Sequence, residues 1–299
     1  MTGPTPQQIR AAVAVALGED LALGDVTTRA LFPARLPARA TIVAHDPITL
    51  AGVAVARQVF TEVDASLKVV RSLPDGAAAR SGSIVMVIEG DGRSLLAAER
   101  AALNFLQHLS GIASLTSRFC AAVKGYRTRI LDTRKTTPGL RVLEKWAVCL
   151  GGGFNHRQSL GDGILIKDNH LALLRSQGIG VAQACRSARE RVPHGMRVIV
   201  EAQTPAQVRD ALAGEADVIL LDNMTAPMVR DAIGLIKGRA LVEVSGGVTL
   251  ETVRDMAAAG ADFISIGALT HSAPAANLSL DIAPRRRSAR APHPHGRAH

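Results

Sequence analysis

From about residue 128 the chain repeats one pattern, a short apolar run that ends in polar residues. The runs are Arg129–Asp132, Gly163–Lys167, Arg197–Glu201, Val218–Asp222, Leu241–Ser245 and Phe263–Gly267. Helical stretches at Val181–Arg191, Pro205–Ala213, Ala226–Ile236 and Leu250–Ala259 lie between them. Strand, helix, strand at this spacing means parallel strands joined by right-handed crossovers. Run ends at 201, 222, 243 and 267 stand 21, 21 and 24 residues apart, a rhythm that suits βα units around a barrel. Six strands are legible, which does not establish an eight-stranded closure.

The chain divides near residue 110. Upstream, an amphipathic stretch spans Ile9–Leu17, followed by strand-like runs at Ala40–Ala44, Leu67–Arg71 and Ser83–Glu89. Turns fall at Pro74-Asp75-Gly76 and Asp91-Gly92. Apolar spacing then predicts one helix from Ser94 to about Leu109 and a second from Ser114 to Val123. This part reads as α+β.

Composition narrows the function. The net charge is +9, but Arg285, Arg286, Arg287, Arg290 and Arg297 supply five of those charges, leaving +4 for the rest. A tail rich in Pro, Arg and His cannot bury enough apolar surface to order itself, so a solvated tail is expected in preference to a nucleic-acid contact. Aromatic residues make up 3%, which offers no stacking platform for bases. Cys120, Cys149 and Cys185 are far apart, without a CxxC pair, so a reduced compartment is expected and a disulfide framework is not. No signal-peptide core or 18-residue uncharged stretch is present, and the sequence reads as a cytoplasmic, membrane-free protein.

Parallel barrel strands gather their carboxyl ends on one face. The polar run ends therefore converge: Asp132, Arg134-Lys135, Lys167-Asp168, Glu201, Asp222, Glu243, Ser245 and Gly267. Arg134, Lys135, His156, Arg157 and Lys167 suit carboxylates and phosphates, with arginine offering a planar fork. Glu201 and Asp222 suit sugar hydroxyls or a Mg²⁺ ion beside a pyrophosphate. Ser245-Gly246-Gly247 and Ile266-Gly267-Ala268 follow the last two strands, where small residues let backbone N–H groups approach a phosphate. Arg100, Asn104 and His108 share a helical face, and Arg100 reads as a surface arginine on this basis.

Three segments in order, Leu131-Asp132-Thr133-Arg134-Lys135-Thr136-Thr137-Pro138-Gly139, Gly151-Gly152-Gly153-Phe154-Asn155-His156-Arg157 and Ile166-Lys167-Asp168-Asn169-His170, resemble the quinolinate phosphoribosyltransferase family. The resemblance covers roughly residues 7 to 282. It implies an α/β fold: an incomplete, seven-stranded α/β barrel at 113–272 and an N-terminal α/β sandwich domain at 1–112, joined by about 273–284. The segment 285–299 is left as a disordered basic tail. It implies transfer of phosphoribosyl from phosphoribosyl pyrophosphate to quinolinate with loss of CO₂, giving nicotinate mononucleotide, and Mg²⁺ as cofactor. Carried over, Thr133, Arg134, His156 and Arg157 would bind quinolinate, and Lys135 and Lys167 would add positive potential. Glu201 and Asp222 would meet the ribose or the metal. Ser245 to Gly247 and Ile266 to Ala268 would hold the 5′-phosphate. The resemblance also implies a homodimer in which Arg100 reaches the partner's site. Rivals are molybdenum-transport-associated relatives of the same fold, a nicotinate salvage enzyme, and a non-catalytic phosphosugar-binding regulator.

Overall fold

The computed structural model describes residues 3–285. Most of the expected basic tail, 286–299, lies outside the described residues. Arg285 does not behave as tail. Its N–H reaches Pro37 O at 2.9 Å and its guanidinium pairs with Glu89 at 2.7 Å.

The chain opens with α1 (Pro6–Asp20), whose Thr5 and Gln8 form a capping box with Pro6 in the first turn. Asp25 caps α2 (Val26–Leu31), accepting the Thr28 N–H at 2.9 Å. In β1 (Pro37–Ala44) every second residue is buried, the mark of a strand with one face on a core. It pairs antiparallel with β5 (Ile84–Asp91) on one side and with β12 (Leu278–Pro284) on the other. β3 (Lys68–Ser72) completes the sheet in the order β12-β1-β5-β3. A ribbon of β2 (Ile48–Thr49) and β4 (Ala78–Ala79) and the helix α3 (Val53–Val63) fill in beside it.

Helix α4 (Gly92–Ala122) is continuous, where the sequence reading broke it in two after Leu109. Ser110 and Gly111 sit at the expected break, and burial gives each a reason to stay helical. Ser110 Oγ donates to Ala51 O at 3.1 Å and accepts the Ala51 N–H at 3.0 Å. Gly111 leaves space for Pro274, whose carbonyl would stand 2.1 Å from an added Cβ. Leu95, Ala98, Ala102, Leu106, Leu109 and Ala113 give the helix a buried stripe at three- and four-residue spacing.

The parallel sheet contains β6 (Arg129–Leu131), β7 (Ile164–Ile166), β8 (Val198–Ala202), β9 (Val218–Asp222), β10 (Leu241–Ser245) and β11 (Phe263–Ser265). Their order is β6-β11-β10-β9-β8-β7, so the first strand in sequence pairs with the last. Between the strands run α5 (Arg141–Leu150), α6 (Asp168–Arg175), α7 (Val181–Arg191), α8 (Pro205–Ala213), α9 (Ala226–Ile236) and α10 (Val253–Ala259). The short α11 (Ala268–His271) follows β11. Six strands are hydrogen-bonded, one fewer than the expected seven. Phe154 adds a single-residue parallel bridge to Leu131, beside β6 and facing the seam toward β7. The three glycines before it favour a turn over an extended run, which keeps this edge short.

Candidate active site

Strand register decides which side chains share the interior. Asp222 lies opposite Ser245, and Ser245 opposite Ser265, so one layer crosses β9, β10 and β11 at their carboxyl ends. Glu243 lies opposite Leu220 and Phe263, a layer deeper. The sequence reading grouped Glu243 with the strand ends. Its place mid-strand instead buries it, leaving 2% exposed.

Two arms carry the cations. The first leaves β6 and holds Thr133 to Gly139. Thr133 Oγ1 accepts the Lys135 N–H at 3.0 Å, so this hydroxyl shapes the turn. Thr270 Oγ1 donates to Lys135 O at 2.8 Å, tying the arm to α11. The Lys135 stem lies 3.0 Å from where a Gly267 Cβ would sit, so glycine there lets the lysine cross the last loop. The second arm carries Asn155, His156 and Arg157. Arg157 donates to Gly163 O at 3.3 Å. Burial and the nearby Arg134 charge lower the hold of the Arg157 guanidinium on its proton. Two guanidinium groups that feel one another suit an anion between them.

Among the described residues, three buried side-chain polar atoms lack a hydrogen-bond partner: Arg134 Nε, His156 Nε2 and Glu243 Oε1. Such atoms are costly unless a ligand or water satisfies them. All three belong to this region. The Arg157 N–H donates to His156 Nδ1 at 2.8 Å, so the ring nitrogen free to donate is Nε2, 3.5 Å from Glu243 Oε2. An interior cavity of about 520 Å³ reaches His156, Arg157 and Glu243 from the opposite end of the strands.

An acidic group stands at the ends of β7, β8 and β9. Burial, then the charges of Asp222 and Asp168, push the Glu201 carboxyl above its usual range, while Lys167 pulls it down. Glu201, Asp222, Asp168 and Lys167 are therefore close enough to feel one another. Asp222 accepts from Asn223 Nδ2 at 2.8 Å. No cluster of three or more His, Cys, Asp or Glu able to hold a metal ion occurs among the described residues. Two carboxylates in an open mouth suit a Mg²⁺ that keeps waters and takes phosphate oxygens as its other ligands.

The small-residue loops are shaped for close approach. Gly246 has φ +89° and an added Cβ would lie 2.2 Å from Asn223 Oδ1 and 2.9 Å from Asn223 N. Gly247 has φ +60° with open space around it. Ile266 is buried and its N–H bonds to Leu131 O at 2.9 Å, which anchors the start of the loop.

Arg100 stands with a different set of residues. It lines a separate cavity of about 860 Å³, with Asn104, His108, α1 and Thr137 to Leu143. His108 Nε2 meets Glu144 Oε1 at 2.8 Å, and Glu144 Oε2 accepts the Thr137 N–H at 3.1 Å. Sequence reasoning missed Glu144 and Lys145. Both lie on α5, a helix the sequence reading did not mark, and both are fully buried. His271 Nε2 stands 3.1 Å from where a Gly267 Cβ would sit.

The fold is that of an α/β protein with a parallel sheet beside a separate antiparallel one, and cationic and acidic side chains follow its parallel strands. The model of the quinolinate phosphoribosyl transferase N-terminal domain matches residues 25–110 and that of its C-terminal domain matches residues 112–281. The chain belongs to this family. It is 39% identical over 264 residues to a Bacillus subtilis protein named probable nicotinate-nucleotide pyrophosphorylase (carboxylating), covering 88% of this chain and 90% of the relative. It is 41% identical over 273 residues to the nicotinate-nucleotide pyrophosphorylase (carboxylating) of Mycobacterium leprae, covering 89% and 94%. The crystal structure of NadC from Streptococcus pyogenes superposes with a TM-score of 0.89 at 40% identity, over 96% of this chain and all of that one.

Proposed function

We propose that this chain transfers phosphoribosyl from phosphoribosyl pyrophosphate to quinolinate and releases CO₂, forming nicotinate mononucleotide and pyrophosphate in de novo NAD biosynthesis. The observation that carries this reading is the set of orphaned polar atoms at Arg134, His156 and Glu243, beside the coupled Arg134 and Arg157 charges. A twice-negative ring supplies the acceptors that Arg134 and His156 lack, and its charge offsets that of the neighbouring Arg157. Lys135 and Lys167 raise the local potential for pyrophosphate. Ser245 to Gly247 and Gly267 to Ala268 offer a backbone cradle for the 5′-phosphate. Ile266 supports that cradle from below.

Departure of pyrophosphate from the anomeric carbon builds positive charge on the ribose while the pyridine nitrogen attacks. Glu201 and Asp222 place negative potential near that charge and accept the ribose hydroxyls, which is electrostatic stabilisation set up in advance. Mg²⁺, held by Glu201 and Asp222 and by the phosphates, would neutralise charge on the leaving group. Once the ring nitrogen bears the ribose it is cationic, and it stabilises the electron pair that departing CO₂ leaves on the adjacent ring carbon, which then takes a proton from solvent. The arginines hold the dicarboxylate in one orientation for both events.

We read the Phe154 bridge as the seventh stave of an incomplete barrel, since it pairs in parallel with Leu131 and leads into His156 and Arg157. We further propose a homodimer in which the exposed Arg100 enters the partner's site, and a cytoplasmic setting. The three free cysteines suit a reducing compartment, and no helix among the described residues is long and apolar enough to cross a membrane.

The test is direct. Purified protein with Mg²⁺ and phosphoribosyl pyrophosphate is given quinolinate or nicotinate, and nucleotide and CO₂ are followed. Quinolinate-dependent release of both in equal amounts is expected. Nucleotide formed from nicotinate at a comparable rate would replace this reading with the salvage reaction. Mixing Arg100→Ala with Arg157→Met protein should recover activity that neither has alone, because one mixed site is intact in the proposed dimer.

A further inference from the structure

His156 and Arg157 follow Gly151-Gly152-Gly153, with Gly152 at φ +89°, a backbone that does not fix its own direction. Rigidity comes from outside. Asp132 Oδ1 accepts the His156 N–H at 2.8 Å, and the Lys145 ammonium donates to the His156 carbonyl at 3.0 Å. One residue thus has both of its backbone polar groups pinned by a buried acid and a buried base. Lys145 also pairs directly with Asp132, and both side chains are fully buried. The Asn155 amide closes the set, donating to Asp132 Oδ2 at 2.5 Å and to Lys145 O at 2.9 Å.

Buried ion pairs are poor stabilisers, and an apolar pair of similar volume often does as well or better. What this pair supplies is direction. The helix that bears Lys145 also holds the other cationic arm. Arg141 donates to Thr136 Oγ1 at 3.0 Å and to Gln158 O at 3.2 Å, and Glu144 takes the Thr137 N–H. Helix α5 is therefore a bar with one arm of the anion site fastened at each side.

We propose that Lys145 and Asp132 are positioning residues that set the angle of His156 and Arg157 toward the quinolinate carboxylates. This rests on the reading above that those two residues bind quinolinate. The clamp acts on the ring end of the site and not on the phosphate end, which β10 and β11 carry.

Lys145→Gln and Asn155→Ala test it, with Val59→Ala, a fully buried residue of α3, as a control for general loosening. Quinolinate KM and kcat, the Kd for phosphoribosyl pyrophosphate alone, and Tm are measured for each. Lys145→Gln and Asn155→Ala should raise quinolinate KM at least tenfold and leave the phosphoribosyl pyrophosphate Kd within twofold. Val59→Ala should lower Tm only. Should Lys145→Gln not fold, Asn155→Ala decides, because it leaves the ion pair in place. Quinolinate KM within twofold of wild type, or equal damage to both substrates, overturns the proposal while wild-type turnover still supports the function. A wild type inert toward quinolinate overturns both.

Discussion

Replacing Gly246 by alanine puts a methyl group 2.2 Å from Asn223 Oδ1 and 2.9 Å from the Asn223 backbone nitrogen. The side-chain oxygen must move, but the backbone nitrogen is held by Ser245 O at 2.9 Å, so the loop has little room to yield. The residue also keeps φ +89°, which costs a non-glycine roughly 1–2 kcal/mol. Turning Asn223 away breaks its bond to Asp222, and a hydrogen bond to a charged group contributes about 1.5–3 kcal/mol. Together the two effects come to roughly 2.5–5 kcal/mol, or about two to three and a half decades in rate at 1.36 kcal/mol per tenfold. Gly247→Ala is the matched comparison. Its φ of +60° is strained for alanine, but nothing lies within 4 Å of the new methyl. Strain alone predicts about 5–30-fold. The assay is kcat/KM for phosphoribosyl pyrophosphate at saturating quinolinate, with Tm recorded for both variants. A Gly246→Ala enzyme within twofold of wild type, or a Gly247→Ala enzyme more damaged than it, would refute the close packing of the loop against Asn223.

Arg134→Met and Arg157→Met should remain folded and lose quinolinate turnover by about two orders of magnitude or more, since each removes a charged fork from a carboxylate; near-normal steady-state rates would count against the assigned roles. Folded Glu201 holds its proton more tightly than an unfolded Glu, so stability falls as pH rises from the unfolded value of about 4.3 through the raised folded value. Glu201→Gln should therefore melt above wild type at neutral pH, with the gap closing below that window in a pH series of thermal scans, while its turnover drops. Gly111→Ala drives a methyl into the Pro274 carbonyl and should destabilise by about 1–3 kcal/mol or more, read as a fall in denaturation midpoint.

The sequence made the parallel half legible because each βα unit states itself twice, in a strand run and in a helical stripe. The expected helices Val181–Arg191, Pro205–Ala213 and Ala226–Ile236 have those bounds in the structure. Arg157 feels the charge of Arg134, and Glu201 feels those of Asp222 and Lys167, so the strand-end residues fall into two local groups. What failed was whatever depended on burial. A Ser-Gly pair looks like a helix break until Ala51 and Pro274 pack against it. Glu144 and Lys145 look solvated until Thr137 and Asp132 meet them. Arg100 sits on a face that sequence cannot distinguish from any other exposed surface, and the structure leaves it away from the strand ends.

The last strand of the chain fastens onto the first. Along one edge of β1, Ala38 pairs with Pro284 and Ala44 with Leu278, while β5 takes the other edge. A ribosome making this protein thus releases an early strand with one edge bare and finishes almost the whole barrel before the cover arrives. Bare edges invite pairing with other chains. Truncation just before Leu278 would spare every proposed ligand contact and still leave a protein prone to sticking to its neighbours.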